Sequence, residues 1–342
     1  MTVPPAATFA EMRAVLAQMP GPDIAAQTKA RLRQADLTKP PGSLGRLEEI
    51  VEWLAAWQGR ERPRCERPRV CVFAGSHGVA ARGVSAYPAS VTQQMVRNFV
   101  AGGAAVNQLT AAIDGDLRVY EMDLANPVGD FTHGPAMDEA RCARAMAYGM
   151  MAAETGIDVL CLGEMGIANT TSAAALCLAL FGGDAADWVG PGTGVAGEAL
   201  TRKIETVRLG IDRHRAILDD PLAVLAALGG EELAAIAGAI VAARMGHIPV
   251  LLDGYACTAA AAVLYRLDPA SLDHCLVAHR SAEPAHGALC ERLQKRPLLD
   301  LGMRLGEASG AALAVSLLKA ACACFDGMAT FGEAGVSSRA PG

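Results

Sequence analysis

Val159-Leu-Cys-Leu162 runs without a break into Gly163-Glu-Met-Gly-Ile-Ala-Asn-Thr-Thr171, and the reading of that junction decides the fold. Four consecutive apolar residues bounded by glycine read as a strand buried on both faces, and the alanine-rich run Thr171 to Leu180 reads as a helix. The pattern recurs. Val70 to Ala74 enters Gly75-Ser-His-Gly78, Ile248 to Leu252 enters Asp253-Gly-Tyr255, and Leu276 to Ala278 enters His279-Arg-Ser-Ala-Glu283, with Leu117 to Met122 as a further strand. Helices are expected between them at Ser90 to Leu109, Met137 to Glu154, Gly197 to Ile217, Glu231 to Met245 and Cys257 to Tyr265. The βαβα order predicts an α/β fold with a mainly parallel sheet. Ligands bind beyond the carboxyl ends of such strands, so four polar or glycine-rich clusters should share one rim.

The two ends of the chain read differently. Phe9 to Met19, Ile24 to Ala35 and Leu44 to Trp57 have helical spacing, and a polar linker follows at Gly59 to Arg69. Between the last two helices, Lys39-Pro-Pro-Gly-Ser-Leu-Gly-Arg46 is a stiff turn with two cations, either a plain connector or a lid over its own or a partner subunit's site. Near the other end, Leu301-Gly-Met-Arg-Leu-Gly-Glu-Ala-Ser-Gly310 opens a small-residue helix running toward Phe325, with Glu307 expected on its first turn. A carboxylate there is either a partner of the helix dipole or a buried base.

Composition excludes several classes. A length of 342 residues allows a large core, and a hydrophobic share of 52% with only 4% aromatics suits closely packed helices and an extensive subunit interface. A net charge of −6 and a pI near 5.7 leave no basic surplus for nucleic acid or an anionic membrane. The 10 cysteines form no C-x-x-C pair and no secretory leader precedes them, so they read as buried thiols of a cytoplasmic protein. The best uninterrupted apolar run, Leu233 to Ala243, stops at Arg244 and is too short to span a bilayer.

The motifs limit the chemistry further. Gly163 to Thr171 reads as a glycine turn and an Asn-Thr-Thr cap ahead of a helix, either a plain N-cap or an anion site; Gly166, Asn169 and Thr170 would then face the anion. The segment lacks the Walker and G-x-G-x-x-G spacings. Gly190-Pro-Gly-Thr-Gly194 is a second glycine loop, and the helix after it carries Arg202 and Lys203, which taken alone read as a solvated face. No histidine or carboxylate cage suits a metal, and Asp219-Asp220 ahead of Pro221 reads as turn chemistry.

Taken together, these segments resemble the nicotinate-nucleotide–dimethylbenzimidazole phosphoribosyltransferases of cobalamin lower-ligand synthesis. The resemblance runs through Lys39-Pro-Pro-Gly-Ser-Leu-Gly-Arg-Leu-Glu48, His77-Gly-Val, Gly83-Val-Ser, Val91-Thr and Gly102-Gly-Ala-Ala-Val-Asn107. It continues through Gly163-Glu-Met-Gly-Ile, Asp253-Gly-Tyr255, His279-Arg-Ser-Ala-Glu283 and Arg304-Leu-Gly-Glu-Ala-Ser-Gly-Ala-Ala312. Nearly the whole chain is covered.

The resemblance implies a Rossmann-like sheet (residues 60–300) and a smaller helical domain built from residues 1–59 and 301–342. It implies transfer of 5-phosphoribosyl from nicotinate mononucleotide to 5,6-dimethylbenzimidazole, without a cofactor or metal, by a homodimer. Carried over by position, Glu307 matches the general base and Glu164 a second acidic residue facing the same pocket. Lys203 matches a lysine near the nucleotide phosphate, beside Gly192, Gly194 and Ser281. The benzimidazole pocket would draw on Ser85, Tyr87, Met95 and Leu305. Ser76, Ala168, Pro191 and Ala285 depart from the family pattern, which bears on phosphate and ribose contacts. Two rival readings remain: a relative using another azole, purine or phenolic acceptor, and a non-catalytic nucleotide or benzimidazole sensor.

Overall fold

A computed structural model describes residues 8–337. Five strands, β1 (Pro68–Ala74), β2 (Asp116–Glu121), β3 (Val159–Met165), β4 (Val250–Leu252) and β5 (Cys275–Val277), form one sheet in the order β2-β1-β3-β4-β5. Every pairing is parallel, as the alternation of apolar runs and helices predicts. The chain reverses its direction across the sheet between β1 and β3, which makes that junction the switch point where a crevice opens.

Side chains alternate across the sheet, and each face has its own core. Cys71 and Phe73 of β1, Leu160 and Leu162 of β3, and Val250 and Leu252 of β4 pack with helices that include Glu139–Met150, Asn169–Phe181, Glu231–Met245 and Tyr255–Leu267. Val70, Val72, Val159, Cys161 and Leu251 point the other way. They meet Arg46–Gln58 near the N-terminus and Ser309–Gly327 near the C-terminus, so both chain ends build one layer. The edge strand β2 is only partly buried, unlike the fully buried β1, because one of its sides has no neighbour.

The differences from expectation have local causes. Ser90 to Leu109 is two helices, Val91–Val100 and Ala105–Ala112, because Gly102 turns left-handed (φ 80°) and Asn107 caps the second one, accepting from Ala104 N at 3.0 Å. Asp220 is an N-cap, accepting from Leu222 N at 3.0 Å with Pro221 at the first helical position, and starts the unanticipated helix Pro221–Leu228. A second unanticipated helix spans Ala285–Arg292. Ser309–Gly327 is, by length and composition, long and apolar enough to cross a bilayer, although Ser316, Lys319 and Asp326 break its apolar run. Here Ala311, Ala314, Val315, Leu318 and Phe325 bury that apolar surface against the protein itself. The 10 cysteines are free, nine of them buried and Cys324 partly so.

The helices Glu139–Met150 and Glu231–Met245 cross at reciprocal glycines. A Cβ on Gly238 would stand 1.9 Å from Met146 O, and one on Gly149 would stand 1.9 Å from Ala235 O. Backbone on both sides leaves nothing to yield. Gly238→Ala should therefore destabilise the fold by about 1–3 kcal/mol or more, read as a lower denaturant midpoint. Gly134→Ala, where the added methyl meets nothing within 4 Å, should leave the midpoint unchanged.

Candidate active site

A cavity of about 530 Å³ opens at the carboxyl edge of the sheet, a volume suited to a small-molecule ligand. Three of the four clusters converge on it: Glu164 and Met165 at the end of β3 with Gly166, Ile167, Asn169 and Thr170 beyond it, Gly254 to Ala256 after β4, and His279, Ser281 and Glu283 after β5. Gly192 and Thr193 of the second glycine loop close one side, and Arg304, Leu305 and Gly306 with Tyr87 close the other. The cluster after β1 lies beneath instead. Its His77 is buried, with Nε2 2.7 Å from Glu232 Oε1 and Nδ1 3.1 Å from Ser172 Oγ.

Glu307 is not on the first turn of the helix. The helix starts at Ser309, and Glu307 (φ 62°) and Ala308 (φ 59°) form a left-handed turn ahead of it. The turn is fastened to β3, where Glu307 N donates to Glu164 O at 3.1 Å. Gly163 belongs to the strand, and a Cβ on it would lie 2.0 Å from Ala308 N, so only glycine lets the turn settle there. Glu307 is 5% exposed, behind Leu305 and Gly306. Among the described residues its carboxyl has no side-chain ion pair, and burial alone raises its pKa to about 7.

Glu164 sits in the cavity wall as the penultimate residue of β3, not in a glycine turn. Burial raises its pKa to about 8; the hydrogen bond from Asn169 Nδ2 opposes that rise, while Asp253, Glu232 and Glu307 add to it. Asp253, which the sequence placed on the rim with its cluster but gave no role of its own, directly follows β4 and is fully buried, with its pKa raised to about 7 by burial. Its Oδ1 accepts from Ala311 N at 2.9 Å, and the N–H groups of Gly310 and Ala308 also face it. An aspartate closing a buried strand ahead of a glycine was the signal available.

The Asn-Thr-Thr segment does not cap its helix. Ala168 is the N-cap, at φ 77° and with no side-chain bond, and Asn169 and Thr170 occupy the first turn. Lys203 is not on a solvated face, because it is 1% exposed and its Nζ donates to Thr170 Oγ1 at 2.8 Å and to Gly190 O at 2.9 Å. Burial lowers its pKa to about 8, opposed by Glu283. It lies under the cavity wall and reaches the cavity through Thr170.

The other expected residues divide. Gly166, Asn169, Thr170, Gly192, Ser281, Tyr87 and Leu305 line the cavity. Ser85 meets it at one remove, with Oγ 2.9 Å from Thr193 Oγ1. Gly194 is exposed and Met95 is half-buried against the core beneath the sheet, and neither lines the cavity. Glu283 and Arg304 were read only as parts of motifs. Glu283 Oε1 accepts from Gly192 N at 2.9 Å and Arg304 Nη1 donates to Gly192 O at 2.9 Å, so both hold the glycine loop. The Lys39 turn is closed by an ion pair of its own, Lys39 Nζ to Glu48 Oε1 at 2.8 Å.

The raised carboxyl pKa values give stability a definite slope with pH. Unfolded carboxyls titrate near pH 4, so between there and pH 7 to 8 the folded state holds more protons, and rising pH removes stability. Each group contributes at most about 1.4 kcal/mol per pH unit within its window. Buried His274 and His286, whose pKa values burial lowers to about 3, pull the other way below about pH 6.5, so the melting temperature of the unliganded protein should fall from pH 6.5 to pH 8, and Glu164→Gln should reduce that fall. A flat or rising profile in calorimetry would contradict this arrangement.

Comparison with known proteins gives the family. The profile of a family described as phosphoribosyltransferase matches residues 19–336. The nicotinate-nucleotide–dimethylbenzimidazole phosphoribosyltransferase of Brucella anthropi is 58% identical over 329 residues, covering 96% of this chain and 97% of its own. The enzyme of the same name from Brucella canis is 56% identical over 330 residues, covering 96% and 97%. A crystal structure of that enzyme from Thermus thermophilus superposes with a TM-score of 0.86 at 42% identity, covering 93% of this chain and 100% of its own. At this identity and coverage, with the parallel sheet and the cavity in place, the chain belongs to the nicotinate-nucleotide–dimethylbenzimidazole phosphoribosyltransferase family.

Proposed function

We propose that this enzyme transfers the 5-phosphoribosyl group of nicotinate mononucleotide to 5,6-dimethylbenzimidazole, giving α-ribazole 5′-phosphate and nicotinate for the nucleotide loop of cobalamin. The observation that carries the reading is Glu307, a buried carboxyl without a counter-ion among the described residues whose pKa lies near 7, directly behind the cavity wall that Glu164, Leu305 and Gly306 form. Such a group takes a proton near neutral pH. One azole nitrogen attacks C1′ while the N–H on the other gives its proton to Glu307. The C1′–N bond to nicotinate breaks with its electron pair, turning a pyridinium into a neutral pyridine, so the leaving group needs no proton.

Glu164 answers the charge on the ribose. Its raised pKa leaves it largely protonated in the empty cavity, and a bound pyridinium cation favours the carboxylate. The ionised group then faces positive charge as it moves from the ring to C1′. The phosphate would lie at the opposite end, where Thr170 and Ser281 present hydroxyls and Lys203 lies behind Thr170. Tyr87 and Leu305, 56% and 55% exposed, flank the mouth where a flat aromatic acceptor would stack, and this openness favours a second reading in which other azoles, purines or phenols also serve.

We also propose that the protein works as a homodimer, supported by Ile24 and Leu32 of one helix, 60% and 66% exposed, and that it is cytoplasmic, supported by the free thiols of its 10 cysteines. Light scattering at micromolar concentration should give twice the chain mass; a monomer mass would overturn the dimer.

The reaction is tested by nicotinate release. Glu307→Gln keeps the shape and loses the proton acceptor, so kcat should fall roughly 10²-fold or more with both KM values within a few-fold. Wild-type kcat should decline as pH falls through about 7, where Glu307 takes up its proton, and the Gln variant should lack that limb. Lys203→Met should raise the nucleotide KM roughly ten- to a hundred-fold and spare the acceptor KM. A Gln variant with most of its kcat would remove Glu307 as the base, and nucleotide binding without nicotinate release for any acceptor would remove the reaction.

A further inference from the structure

His286 lies outside the cavity, 0% exposed, on the helix Ala285–Arg292. Its hydrogen bonds permit one tautomer only. Ser281 N donates to Nδ1 at 2.8 Å, so Nδ1 carries no proton, and a neutral ring must then carry it on Nε2. Nε2 stands 3.0 Å from Thr258 Oγ1 and donates to it, which leaves the Thr258 hydroxyl to donate to Gly254 O at 2.8 Å. Burial lowers the pKa of the ring to about 3, so it stays neutral wherever the enzyme works.

The chain of bonds continues past Ser281. Glu283 N donates to Ser281 Oγ at 3.2 Å, Gly192 N donates to Glu283 Oε1 at 2.9 Å, and Arg304 Nη1 donates to Gly192 O at 2.9 Å. Every link has a fixed direction. The run joins the loops after β4 and β5 to the second glycine loop and ends at the cavity mouth. Because Ser281 Oγ accepts from Glu283, its own hydrogen is free for a ligand in the cavity that Ser281 lines.

The geometry points to His286 as a positioning residue that, by accepting from Ser281 N and donating to Thr258, sets the Ser281 hydroxyl and the Glu283–Gly192 arm for the phosphate of the nucleotide. This rests on the reaction proposed above. The imidazole touches no substrate. Its effect should appear in nucleotide binding and not in acceptor binding, since the arm holds Gly192, which packs so closely on Thr170 and Lys203 that a Cβ there would stand 2.6 Å from Thr170 Oγ1 and 2.9 Å from Lys203 Nζ.

The experiment measures nicotinate release by the full chain, varying each substrate in turn, for wild type, His286→Leu, His286→Asn and His286→Gln, with melting temperatures alongside. Asn places an oxygen where Nδ1 stands and restores the acceptor for Ser281 N. Gln reaches only the Nε2 position. The Leu and Gln variants should raise the nucleotide KM about tenfold with the acceptor KM unchanged, and Asn should recover most of that loss. Should Leu not fold, the Asn and Gln pair decides alone. Equal rises in both KM values, a lower melting temperature with unchanged KM values, or Asn no better than Gln would overturn the assignment. A wild-type enzyme that releases no nicotinate would sink the reaction instead, and the calorimetric Kd for nicotinate mononucleotide then replaces KM as the readout for His286.

Discussion

The structure depends on one close approach, the left-handed turn Gly306–Ala308 lying on the backbone of β3 at Gly163. No side chain fits between them, since a Cβ at Gly163 would meet Ala308 N at 2.0 Å. The segment that follows is held at the next two strand ends as well. Asp253 receives the N–H of Ala311 beyond β4, and Gly310 packs so tightly on His279 beyond β5 that a Cβ there would come within 2.0 Å of the ring. Three strand ends thus fix the course of the main chain, and the carboxyl of Glu307 is placed by backbone, without a side-chain tether among the described residues.

That placement divides the cavity electrically. Glu164, Asp253 and Glu307 gather at one end with no Lys or Arg paired to them among the described residues, while Lys203 lies beneath the other end with Thr170 between it and the cavity. The substrate of the proposed reaction has the same polarity, a cationic ring on C1′ and an anionic phosphate on C5′. In a low-dielectric cleft such an arrangement orients a dipolar ligand before any close contact forms. It also explains why the carboxyl end tolerates burial, because most of its groups can hold protons until a cation arrives.

Much of this was legible in sequence because strands buried on both faces are written as unbroken apolar runs, and Val70–Ala74 and Val159–Leu162 can be little else. The rim followed from topology once the strands were placed. What escaped had its cause elsewhere in the chain. Lys203 reads as a surface residue because its helix is amphipathic, and only the Gly190 loop folding over it reveals the burial. Glu307 reads as helical because Ala308 and Ser309 are ordinary in helices, and nothing local announces a left-handed turn that the packing on Gly163 imposes. Asp253 and Glu283 were legible only as members of rim clusters, because the backbone each one binds, Ala311 and Gly192, lies far away in sequence.

The left-handed conformation of Glu307 and Ala308 has a consequence for anyone who sets out to make this protein hardier. Each such residue carries strain on the order of 1 kcal/mol or more that glycine would not. A screen that rewards heat resistance alone will therefore drift toward glycine at position 307, and each gain in hardiness found there discards the carboxyl. Only a need for the product opposes that drift. Strain in that turn is thus a record of use, one that a lineage relieved of the chemistry should be among the first to erase.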